Sequence, residues 1–193
     1  NTFHPDYPLF LPSMVARLWR YASDDVPDMG GLFGVWFSFS AVALLGAVVA
    51  ESRGAFTGTL MALMLLTTSD YMVQGTYQEA DIPLSVFFLG TTALLALYFE
   101  RQEDRRGFLV LAGFLAGCAA WTKNEGLLFV VAVLGSHLVT LALLRHWRDL
   151  RTNLAMIGLG LAPILALVIS FKIFLTPGDN PIQTIVHASA AGR

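Results

Sequence analysis

The residues able to do chemistry fall in three short stretches. Tyr71-Met-Val-Gln-Gly-Thr-Tyr-Gln-Glu-Ala-Asp-Ile-Pro83 sets Tyr77, Gln78, Glu79 and Asp81 between two long apolar runs. Carboxylates at such a boundary are costly unless solvated, paired or used, and as bases they take protons from hydroxyl groups. Thr122-Lys-Asn-Glu-Gly126 interrupts another apolar run with Lys123 and Glu125, and a lysine at a membrane-embedded turn suits an anionic head group or phosphate. The opening stretch carries His4, Asp6 and Tyr7. Each group also has a plainer role. Asp81 can cap a helix starting at Ile82, with Pro83 tolerated in its first turn. Lys123 can pair with Glu125 or snorkel to the interface. His4 and Asp6 lack the spacing of a metal site. Capping by Asp81 nevertheless leaves Tyr77, Gln78 and Glu79 beside it without a use.

The elements that must hold these groups are membrane helices. Hydrophobic residues make up 55% of the chain, charged residues 13%, and mean hydropathy is +0.63, against about 25% charged in a typical soluble domain. Runs of roughly 20 apolar residues cross a hydrocarbon core of about 30 Å, and several occur in series. The net charge of -2 and the scattering of basic residues into short turns exclude a nucleic-acid partner. The single cysteine, Cys118, lies among Ala and Gly, which rules out a disulfide framework and a cysteine metal site and leaves it as a small packing residue.

The expected fold is an all-α polytopic transmembrane bundle of about six spans behind an N-terminal interfacial helix. Residues 1–31 form an external loop: Pro5, Pro8 and Pro12 prevent a continuous helix, and Met14, Val15, Leu18 and Trp19 then make one apolar face of a short helix from Ser13 to Ala22. Residues 32–175 form the bundle, with spans at 32–50, 55–73, 82–99, 107–121, 127–144 and 154–175, the last kinked at Pro163. Gly113-Phe-Leu-Ala-Gly117 repeats glycine at the spacing that permits close helix packing. Residues 176–193 begin a further external part. Alternating spans collect Arg53, Arg101, Arg105, Arg106, Arg145, Arg148 and Arg151 on one side, the cytoplasmic side by the excess of basic residues in cytoplasmic loops. The acidic stretch, Lys123 and the opening loop then share the opposite, external face.

Tyr77-Gln-Glu-Ala-Asp-Ile-Pro83 ahead of one span, followed by Leu111-Ala-Gly-Phe-Leu-Ala-Gly-Cys-Ala-Ala-Trp-Thr-Lys-Asn-Glu-Gly-Leu-Leu128, resembles the membrane-embedded GT-C glycosyltransferases. The likeness is to their glycosyltransferase family 39 branch, the protein O-mannosyltransferases and the lipid A aminoarabinose transferase. The resemblance implies a bacterial enzyme of the inner membrane that moves a sugar from a polyprenyl-phosphate donor to a glycan, lipid or protein acceptor on the periplasmic face. It implies no cofactor beyond that lipid-linked co-substrate and leaves a divalent metal open. Glu79 and Asp81 resemble the family's acidic pair, and Lys123 the lysine that faces the lipid phosphate. Glu125, Tyr77, Gln78, His4 and Tyr7 are the accompanying binding residues, and Asp6 is a third catalytic candidate.

The family's principal carboxylate lies in the first external loop after a first span. The chain opens at Asn1 with what looks like the distal part of that loop, so the sequence is expected to be an inactive fragment of a longer enzyme whose principal base precedes it. The competing expectation is a multi-span transporter or lipid flippase, which predicts charges within spans and repeated halves. No internal repeat is visible. A purely structural membrane subunit would leave the clustered acids and Lys123 unused.

Overall fold

In the computed structural model, residues 9–22, 29–77, 79–100, 106–145 and 147–174 are described, and every regular element among them is helical. In chain order these are α1 (Phe10–Ala22), α2 (Met29–Arg53), α3 (Ala55–Leu66), α4 (Ser69–Gln74), α5 (Asp81–Glu100), α6 (Arg106–Thr122), α7 (Asn124–Leu143) and α8 (Leu150–Phe174), with a short 3-10 turn at Trp147–Asp149. The all-α bundle is as the composition requires, because only helices satisfy their own backbone within a single apolar segment.

Four helices, Gly30–Arg53, Asp81–Glu100, Asn124–Leu143 and Leu150–Phe174, are long and apolar enough to cross a membrane. The other two expected spans correspond to shorter apolar helices. At about 1.5 Å of rise per residue, α6 is roughly 25 Å long and α3 roughly 18 Å. The run expected from 55 to 73 is broken after Leu66, and the break has a local cause. The Thr67 and Thr68 hydroxyls donate to the carbonyls of Leu63 and Met64 at 2.9 Å each, and Thr68 turns extended, with φ -73 and ψ 110, to open α4. Threonines that bond back onto the preceding turn compete with helix continuation. At the other end of α3, Gly54 joins it to α2 in a single residue with φ 94, a left-handed conformation that favours glycine.

The helix expected to lie at the interface starts earlier than its prolines suggest. Pro12 is the third residue of α1, within the first turn, where the backbone N–H is not needed by the helix. α1 is strongly amphipathic and has no buried residue. It is pinned to the bundle through Phe10, whose ring lies 6.2 Å from Phe37 of α2 and 5.4 Å from Phe87 of α5, edge to face.

The centre of the bundle is α6. Leu109, Ala112, Ala116, Cys118, Ala119 and Ala120 are all buried, and α6 packs against α5, α7 and α8. Small residues make that possible: a Cβ on Gly113 would run into the Ile157 backbone of α8, and one on Gly160 into the Val110 carbonyl of α6. Without a hydrophobic drive between helices in lipid, such close backbone contact is the main source of attraction. α2 leans on α5, and α3 packs on α2 and α4. Large apolar side chains such as Trp36, Phe56, Leu128 and Leu143 lie on the outside, the expected surface toward lipid chains.

Candidate functional site

One end of the bundle gathers the acidic stretch, the α6–α7 joint and α1 around a cavity of about 750 Å³. Its floor follows from the local sequence. α4 and the turn after it are tied to α2: the Tyr71 hydroxyl donates to the Ser38 carbonyl at 2.9 Å, and the Ser38 hydroxyl donates to the Gly34 carbonyl at 2.8 Å. Gly75 lies against the Ser38 side chain, and Gly34 against the backbones of Gly75 and Tyr77. Glycine at both places lets the loop lie flat on α2. Tyr77, Glu79 and Asp81 then line one wall of the cavity, and Leu11, Val15 and Trp19 of α1 form an apolar wall.

Lys123 supplies the cation. α6 ends at Thr122 and α7 begins at Asn124, so the two helices turn on Lys123 alone, extended at φ -155 and ψ 155. The joint is closed by hydrogen bonds from the Lys123 amide to the Ala119 carbonyl (3.2 Å) and from the Gly126 amide to the Lys123 carbonyl (2.9 Å). A Cβ at residue 126 would enter the Ala119 backbone. Gly126→Val should therefore destabilise the folded protein by about 1–3 kcal/mol, seen as a lower thermal unfolding midpoint in detergent. An unchanged midpoint would show that the joint relaxes freely.

The Lys123 Nζ donates to Asp81 Oδ1 at 2.8 Å and stands 3.9 Å from Glu125 Oε1. The structure thus brings Asp81, Glu125 and Lys123 together, with Glu79 and Tyr77 on the same cavity wall. Asp81 is the first residue of α5, and the Leu84 amide bonds to the Ala80 carbonyl at 3.0 Å, so Ala80 holds the capping position. His4, Asp6, Tyr7 and Gln78 lie outside the described residues. Among the described residues, no three His, Cys, Asp or Glu side chains converge as a metal site.

Two polar contacts could not be anticipated from sequence. The Lys172 Nζ donates to Asn124 Oδ1 at 2.7 Å, linking the last turn of α8 to the first of α7. Toward the opposite end, the Tyr98 hydroxyl donates to Asn153 Oδ1 at 3.0 Å, and Asn153 Nδ2 lies 3.4 Å from Nε2 of buried His137. The only advance signal was the presence of such side chains inside apolar runs.

The comparison with known families decides the class. The family model described as dolichyl-phosphate-mannose-protein mannosyltransferase matches residues 30–173. The chain belongs to that family. As a dolichyl-phosphate-mannose-protein mannosyltransferase family member it is a membrane glycosyltransferase of the GT-C type. The family match runs from the start of α2 into the last turn of α8, so it includes both polar walls of the cavity and leaves out α1. No curated protein and no solved structure matches the chain.

Proposed function

We propose that the cavity is where a sugar leaves a polyprenyl-phosphate donor for an acceptor hydroxyl, on the external face of the membrane. The observation that carries this is the Lys123–Asp81 pair at 2.8 Å in the wall of a mostly apolar cavity beside Glu79. A cation beside the departing phosphate and a carboxylate beside the attacking hydroxyl are the two groups such a transfer needs. The acceptor oxygen forms its bond to the anomeric carbon while the bond from that carbon to the phosphate oxygen breaks. The hydroxyl proton passes to a carboxylate, and polyprenyl phosphate departs with its charge against Lys123. The apolar side chains of α1 suit the first carbons of a lipid carrier.

The contacts of Lys123 support one assignment of the groups. Groups that act on the two faces of a sugar ring stand several Å apart. Asp81 touches Lys123, so it belongs on the phosphate side, where it aims the ammonium group. Glu79, exposed two residues earlier, belongs on the acceptor side. The external location is supported by the arginines: Arg53, Arg106, Arg145, Arg148 and Arg151 all sit at helix ends remote from Lys123, as basic cytoplasmic turns would.

The test is sugar release from radiolabelled polyprenyl-phosphate donor by membranes containing the full-length protein or its Asp81→Asn variant. Release should fall by about tenfold to a hundredfold in the variant, the upper figure being the cost of a misplacement of about 1 Å. Absence of release by the unmodified protein with mannosyl, glucosyl and aminoarabinosyl donors alike would overturn the donor assignment.

A further inference from the structure

We propose that Lys172 is a positioning residue for Lys123, acting through Asn124; this rests on Lys123 being the group that meets the donor phosphate. The need for such a residue comes from the joint itself. Lys123 is the whole connection between α6 and α7, so its side chain goes wherever the first turn of α7 goes. On the cavity side Asp81 of α5 holds the Lys123 ammonium. On the far side α8 holds the next residue along, through the 2.7 Å bond from Lys172 Nζ to Asn124 Oδ1.

Lys172 does not line the cavity and is only 8% exposed. An ammonium group so buried is retained against its desolvation cost only where strong acceptors meet it, and an aliphatic residue would pack the same space more cheaply. Its register on α8 is set by its neighbour: buried Phe171 meets Trp121 of α6 edge to face, ring centroids 5.4 Å apart. Two consecutive α8 residues thus grip the two sides of the joint, Phe171 at Trp121 before it and Lys172 at Asn124 after it. α7 packs mainly on α6 and meets α8 through apolar contacts of Leu127 and Val130, and the Lys172–Asn124 bond adds a directional hold on its first turn. The location at the C-terminal end of α8 also favours a cation, since the helix dipole is negative there.

The experiment uses the full-length protein in membranes. Lys172→Met should lower transfer from polyprenyl-phosphate sugar about tenfold or more, the cost of a small misplacement of a group at the reacting centre. Asn124→Leu should do the same, and Asn124→Asp, which keeps an acceptor for Lys172, should restore most of the rate. The decisive arm is a double-mutant cycle: in a Lys123→Met background, Lys172→Met should cost almost nothing further. A second readout does not depend on transfer. With Lys123→Cys in a protein carrying Cys118→Ala, the rate of labelling by a membrane-impermeant maleimide should change several-fold when Lys172→Met is added. Equal losses with and without Lys123, or labelling indifferent to Lys172, would overturn the proposal. If Lys123→Met alone leaves transfer at the unmodified rate, the phosphate-binding role of Lys123 falls, and the labelling result still decides whether Lys172 positions residue 123.

Discussion

Lys123→Ala in the full-length protein should lower sugar transfer by about a hundredfold or more, the cost of losing one charged or donor group aimed at charge that develops in the transition state. The side chain is 22% exposed and its ammonium lies 2.8 Å from Asp81, so it is held in place and not left to wander in solvent. A departing polyprenyl phosphate gains charge as its bond to the sugar breaks, and no other lysine or arginine among the described residues lines the cavity. Lys123→Arg should recover part of the rate, because it keeps the charge but replaces a compact ammonium with a longer planar group. Single-turnover rates with radiolabelled donor measure the loss, and a thermal unfolding curve in detergent separates it from misfolding. Transfer within about twofold of the unmodified protein would reduce Lys123 to a surface ion pair, of the kind that contributes little.

What the sequence shows of this molecule and what it hides divide along physical lines. Apolar runs long enough to span are legible because lipid demands them residue by residue, and the four long helices lie where those runs lie. The charged and turn-forming residues between them are legible for the same reason. The break of α3 is not, because threonine is tolerated in helices and only the contacts of Thr67 and Thr68 with the preceding turn show that the chain leaves the helix there. The early start of α1 is missed because a proline is disruptive or harmless according to its place in the first turn.

The site is legible as residue types and hidden as pairs. Lys123 and Asp81 are separated by 42 positions, and two alternatives, a cap for Asp81 and a local pair with Glu125 for Lys123, satisfy the sequence equally well. Only the turn of α6 into α7 beside the start of α5 shows that Lys123 reaches Asp81 at 2.8 Å, with Glu125 more distant at 3.9 Å. Lys172 and Asn124, 48 positions apart, are visible only as polar residues at the ends of apolar runs, and nothing in the sequence pairs them. Sequence periodicity is least informative where it would be most useful, because these helices are apolar on all sides and carry no stripe to say which face turns inward.

Glu79→Gln should lower the rate of the chemical step about a hundredfold while leaving the Michaelis constant for the donor nearly unchanged, as for loss of a base that acts only in the transition state. Glutamine keeps the size of the side chain and its hydrogen bonding but cannot take a proton. The alternative base in the same stretch, Asp81, is bound to Lys123, which on the proposed assignment sets it on the phosphate side of the sugar, away from the acceptor's proton. The comparison that decides is therefore between Glu79→Gln and Asp81→Asn under identical donor concentrations, with steady-state rates followed over a range of acceptor. A larger loss for Asp81→Asn than for Glu79→Gln would mean that the ion pair opens before reaction and Asp81 takes the proton. A loss near tenfold for Glu79→Gln, below the range of about a hundredfold or more for a general base, would give the proton to the carboxylate that the family resemblance places in the first external loop. Glu79 would then orient the acceptor, and Lys123 would keep its part, because the departing phosphate needs a cation whichever carboxylate receives the proton.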